Sequence, residues 1–245
     1  MPPLLPRLLL ICALVRLSVI PTQAAPIAFD PAPLQAQEKT LGAVLAQMPG
    51  SVNLLSRRGD TRVFLGDFAG AVADYEAMIA LDATQDAPHW RLGIAYYFHG
   101  DFAKAARQFE KYHAYDARDR ENGVWKFFSQ ARGENIEAAR RDLLVYTQFD
   151  REPFPSVYRM LAGEQTPDSV LKEVERKGLS KEPQVLFFAK YYAGLMEALS
   201  GHREKGLRLV EEAVALFSPA VADRGGPGYM WHAARLHALE LRAER

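Results

Sequence analysis

Gly66-Asp67-Phe68-Ala69-Gly70-Ala71-Val72-Ala73-Asp74-Tyr75-Glu76 is answered, 34 residues on, by Gly100-Asp101-Phe102-Ala103-Lys104-Ala105-Ala106-Arg107-Gln108-Phe109-Glu110. Each copy has a further glycine seven residues ahead of it, Gly59 and Gly93. Phe68, Ala71 and Tyr75 share one helical face, and Phe102, Ala105 and Phe109 repeat it. Gly66 and Gly100 stand where a helix can end in a left-handed residue, and Asp67 and Asp101 suit the start of the next. Each copy therefore predicts a helical hairpin, with helix A through the first glycine and helix B through the alanine. A glycine inside helix A costs roughly 1 kcal/mol of helix propensity, which a close approach of helix B must offset.

A 34-residue hairpin period with this pattern resembles the tetratricopeptide repeat (TPR). The resemblance implies an all-α solenoid of stacked hairpins. A third copy lies near the C-terminus. Gly194 and Gly201 are again seven apart, Gly206 replaces Ala71 and Ala105, and Val210 takes the ring position. The 101 residues from Gly100 to Gly201 leave room for two more hairpins. One is expected around Gly133-Glu134-Asn135-Ile136-Glu137-Ala138, with Trp125, Phe127 and Phe128 in helix A and Leu143, Leu144 and Tyr146 in helix B. The other is short, from Pro153 to Leu161 and from Pro167 to Lys177. About five hairpins are thus expected over residues 51–218.

The flanks read differently. Arg7, the apolar run Leu8 to Val15, and Thr22-Gln23-Ala24 have the order of a secretory signal peptide, with cleavage expected after Ala24. Export to the periplasm or beyond is the expectation. Cys12, the single cysteine, is separated from Arg7 by only four residues and follows Leu9-Leu10-Ile11, so no good lipobox surrounds it and lipid anchoring is not expected. No segment is apolar for long enough to span a bilayer. Residues 25–33 read as an extended, proline-rich linker. Residues 34–50 read as a helix with Leu34, Leu41, Val44, Leu45 and Met48 on one stripe. Residues 219–245 read as a loop around Arg224-Gly225-Gly226-Pro227-Gly228 and a capping helix bearing Met230, Ala233, Ala234, His237 and Leu241. Terminal hairpins need such caps.

Chemistry is sparse. Lys and Arg number 30, as do Asp and Glu, which gives no basic footprint for nucleic acid. None of the six histidines pairs at the spacing of a helical zinc site, and no nucleophile elbow or phosphate loop occurs. No cofactor, metal or catalytic residue is expected. What the repeat offers is a groove. By resemblance to TPR proteins, helix A residues line it: Asn53, Ser56, Asp60, Val63 and Phe64; then Ala87, Trp90, Ile94, Tyr97 and Phe98; then Phe188, Tyr191, Leu195, Ala198 and Leu199. The partner-binding set is expected to centre on Ser56, Asp60, Phe64, Trp90, Ile94, Tyr97, Phe98, Tyr191 and Leu195. Repeat packing is assigned to Gly59, Gly66, Ala71, Gly93, Gly100, Ala105, Gly194 and Gly201. Two states of the groove stay open. It takes an apolar or helical peptide, or the terminal helices of the chain cover it.

A closer resemblance covers residues 55–241. Gly93-Ile94-Ala95-Tyr96-Tyr97, Asp116-Ala117-Arg118-Asp119 ahead of Trp125, the short hairpin from Tyr158 to Val174, and Phe187-Phe188-Ala189-Lys190-Tyr191-Tyr192 are its parts. In this order they are similar to the periplasmic TPR lipoproteins called "new lipoprotein I". That resemblance implies a homodimeric, non-enzymatic adaptor that brings an envelope protease to peptidoglycan hydrolases. The chain departs from the family in lacking a lipobox cysteine. The second functional expectation is a structural module of a secretion or envelope complex, with its groove filled by its own termini.

Overall fold

The computed structural model describes residues 29–148 and 151–243. The expected signal peptide and residues 25–28 of the linker lie outside the described residues. Among the described residues the chain is all-helical, with thirteen α helices, one 3-10 turn and no strand. Helix α1 (Ala32–Gln47) precedes five pairs of neighbouring helices: α2 (Val52–Leu65) with α3 (Phe68–Leu81), α4 (Trp90–His99) with α5 (Phe102–Tyr115), α6 (Arg120–Gly133) with α7 (Ile136–Arg141), α8 (Phe154–Ala162) with α9 (Pro167–Arg176), and α10 (Pro183–Leu199) with α11 (Arg203–Ala215). Helices α12 (Pro219–Gly225) and α13 (Tyr229–Ala243) follow.

The hairpin corners follow from the residues that form them. Gly66 and Gly100 adopt φ of 84° and 92°, a region that L side chains avoid, and Gly163 and Gly201 turn in the same way. Asp67 accepts a hydrogen bond from the Gly70 N–H at 3.0 Å, which caps α3. Asp101 makes no such cap and lies 3.7 Å from Lys104 Nζ instead.

Within the hairpins, one contact recurs sixteen residues apart. A Cβ on Gly59 would fall 2.4 Å from the ring of Tyr75, and one on Gly93 would fall 2.7 Å from the ring of Phe109. A Cβ on Gly194 would fall 2.9 Å from Val210 and from the Gly206 carbonyl. These glycines let helix B close onto helix A, and Ala71 and Ala105 are fully buried beside them.

The third pair breaks the pattern. Lys126 and Asp142 hold the two positions, and their Nζ and Oδ2 atoms lie 2.7 Å apart. Helix α7 ends at Arg141, so Leu143, Leu144 and Tyr146 are not part of helix B as the sequence suggested. The Tyr146 ring is drawn instead between His113, 4.7 Å away, and Tyr158, 5.2 Å away, where Gly123 leaves space.

Two boundaries also move. Helix α1 starts at Ala32, inside the stretch read as linker, and α12 occupies Pro219–Gly225, so only residues 226–228 of the expected loop remain between helices. Leu41 and Leu45 anchor α1, with Leu45 packed in a small core with Leu55 and Met78. Arg62 ties the helices together, reaching Glu38 at 3.0 Å and Asp74 at 2.9 Å.

Candidate binding surface

The inner face of the stack is built from α2, α4, α6 and α10, and α13 lies against it. Helix α13 can approach closely because Ala233, Ala234 and Ala238 are small and fully buried on it. Its first residue, Tyr229, meets the edges of Phe64 at 4.9 Å and Trp90 at 5.0 Å. His232 stacks on Phe64 at 3.9 Å. Arg235 donates to the Phe64 carbonyl. His237 reaches α4 and α10 together: its Nδ1 is 2.7 Å from the Tyr191 hydroxyl, and its Nε2 is 3.0 Å from that of Tyr97. Further along, Glu240 pairs with Arg132 of α6 at 2.6 Å. On its other side α13 packs on α11, where the Trp231 indole donates to the Val214 carbonyl at 3.0 Å.

The expected groove residues divide accordingly. Ile94, Tyr97, Tyr191 and Leu195 are buried. Phe64 and Phe98 are half-buried, with rings against His232 and His237 respectively. Asp60 accepts from the Tyr75 hydroxyl at 2.6 Å and pairs with Arg91 at 2.9 Å. Burial raises its pKa, and Arg91 and the Tyr75 bond oppose that shift. Ser56 and Trp90 stay partly open. With Asn53, Gln85, His89 and Arg91 they line a cavity of about 430 Å³ at the α2–α4 end of the face. Phe64, Tyr97, Phe98 and Tyr191 thus lie against α13, while Ser56 and Trp90 stay partly open.

Three buried histidines sit on or beside this surface. Burial pushes His237 and His232 down to about 3 and His89 down to about 4, with Arg132, Arg235 and Arg91 acting in the same direction. The spacing of the histidines in the sequence does not show the pairing of His237 with two tyrosines. The available signal is the placement of His232 and His237 in a helix rich in alanine, which marks a close helix–helix seam. A second, polar cleft of about 510 Å³ lies between α5 and α6 and is lined by Lys104, Arg107, Lys126, Gln130 and Asp142. Among the described residues no cluster of His, Cys, Asp and Glu could hold a metal ion, and no helix is long and apolar enough to cross a membrane. Compared with known proteins, the chain matches no protein-family model and no curated sequence.

Proposed function

We propose that this chain is a non-enzymatic, TPR-type interaction module whose groove is filled by its own C-terminal helix. One observation carries the reading: His237 of α13 occupies the middle of the inner face, bonded to Tyr97 and Tyr191 at 2.7–3.0 Å. A helix from the chain itself thus sits where the repeat would receive a peptide. Partners then engage the outer helices and the open end near Ser56 and Trp90. The segment order shared with periplasmic TPR adaptors supports an exported module of the cell envelope, with a protease or a peptidoglycan hydrolase as the class of partner. The leader ending at Ala24 supports the same compartment.

Melting temperature and capture of envelope proteins, read on Trp90→Ala, Tyr97→Ala and Tyr191→Ala, test this reading. A self-filled groove predicts a depressed melting temperature for the two tyrosine variants and unchanged capture by the folded fraction. Capture lost at full stability for Tyr97→Ala and Tyr191→Ala would overturn it in favour of an open groove.

A further inference from the structure

His237 is 2% exposed and both of its ring nitrogens are engaged. The Arg132 guanidinium of α6 lies 5.1 Å from the centroid of the Tyr97 ring. A neutral imidazole has one N–H and one bare nitrogen, and each here faces a tyrosine hydroxyl. Acid would put a hydrogen on both nitrogens. Both tyrosine hydroxyls would then have to accept from the ring, and a new cation would sit near Arg132 in a buried place. The titratable and charged groups around the ring include Tyr97 on α4, Arg132 on α6, Tyr191 on α10, Arg203 on α11 and Glu240 on α13. The one carboxylate among them is already held by Arg132.

His232 repeats the situation one and a half turns earlier. It is buried between the rings of Phe64 and Phe29, and its Nδ1 has no hydrogen-bond partner. Asp223 of α12, itself largely exposed, lies 3.5 Å from Nε2, and Arg235 of α13 opposes a charge on the ring. One half-solvated carboxylate therefore faces a charge that would also leave Nδ1–H unsatisfied. Residues 226–228, including Gly228 at a φ of 50°, form the joint between α12 and α13.

We propose that α13 is an acid-released latch: protonation of His237 and His232 frees it from α2, α4, α6 and α10 while the hairpins stay folded. Release bares Phe64, Trp90, Tyr97, Trp125 and Tyr191. The latch requires the docked geometry of α13 alone, so it stands whether or not a partner uses the bared face. Both histidines have docked values below their free value of 6.5, so docking is complete above that value and is lost as the pH falls toward about 3. Each histidine raises the opened fraction by up to about tenfold per pH unit in that window. Between pH 6.5 and 5 the two together give up to roughly a thousandfold.

Hydrogen exchange of the full-length protein, corrected for intrinsic rates and read by mass spectrometry between pH 7.5 and 5, tests the latch. Peptides from α13 should lose protection by at least tenfold per pH unit below 6.5, reversibly, while peptides from α4 and α5 keep theirs. Protection of α13 that holds down to pH 5, or that falls together with α4 and α5, overturns the proposal. His237→Gln cannot charge and should remove about half of the pH slope at α13. A His237→Gln protein with the slope of the wild type also overturns it. Should that variant not fold, His232→Gln makes the same measurement, with the same slope criterion.

Discussion

Lys126 Nζ meets Asp142 Oδ2 at 2.7 Å across the third hairpin, at the sixteen-residue offset that elsewhere joins Gly59 to Tyr75 and Gly93 to Phe109. The two ends of this pair are in different surroundings. The Lys126 side chain is 3% exposed and that of Asp142 is 59% exposed. Asp142→Ala strands a buried ammonium that keeps only a carbonyl at 3.2 Å, whereas Lys126→Met leaves a carboxylate that water can reach. The expected outcome is an asymmetry. Asp142→Ala should cost about 2–3 kcal/mol, and Lys126→Met under about 1 kcal/mol. Urea unfolding of both variants checks it, and equal costs would show that the pair is worth no more than a surface ion pair.

The glycine–ring contacts predict a compensation. Gly93→Ala puts a methyl group 2.7 Å from the Phe109 ring and should cost about 1–3 kcal/mol, despite the better helix propensity of alanine. Phe109→Leu makes room for that methyl group. In a double-mutant cycle the second substitution should therefore cost less in Gly93→Ala than in the wild type, by at least about 0.5 kcal/mol. Additive costs would mean that the helices separate instead. Ala71→Leu and Ala105→Leu, at positions with no exposed surface, should each cost about 1–3 kcal/mol by the same overpacking.

The hairpins were legible because their causes are local. A glycine at a corner, an aspartate after it and a ring sixteen residues beyond the mid-helix glycine are read directly from Gly59, Gly66, Asp67 and Tyr75. The third hairpin was misread where local rules gave way to packing. Leu143, Leu144 and Tyr146 continue a helical apolar pattern, but Tyr146 fills the space between α5 and α8 opened by Gly123, and the chain leaves the helix to place it there. The position of α13 was legible only in part. Its apolar spacing marked a cap, yet the contact of His237 with Tyr97 spans 140 residues and leaves no periodic trace.

His89 lies outside the latch and gives a pH prediction of its own. Its imidazole packs edge-on against Tyr75 at 4.5 Å, and burial lowers its pKa from 6.5 to about 4. The folded value is below the unfolded one, so the contribution is intact above 6.5 and is lost as the pH falls toward 4. His89→Phe should flatten the acid limb of global stability by up to roughly 1.4 kcal/mol per pH unit in that window. Denaturant midpoints of wild type and variant at pH 7.5, 6 and 5 decide the matter. Parallel lines would remove His89 as a source of acid lability.

The N-terminal segment predicts where processing can stop. Phe29 packs against Trp231 and lies under the Arg235 guanidinium, 3.8 Å from the ring centroid. Cleavage after Ala24 leaves Phe29 in the mature chain, four residues inside the new end at Ala25. N-terminal sequencing of the cell-made protein should begin near Ala25, and retention of Met1 on cytoplasmic material would count against export. Phe29→Ala should lower stability by about 1 kcal/mol or more, through the lost cation–π contact and the ring's burial. It should also speed exchange in α13 ahead of α4 and α5. Equal melting temperatures for Phe29→Ala and wild type would show that the segment before α1 does not help to seat α13.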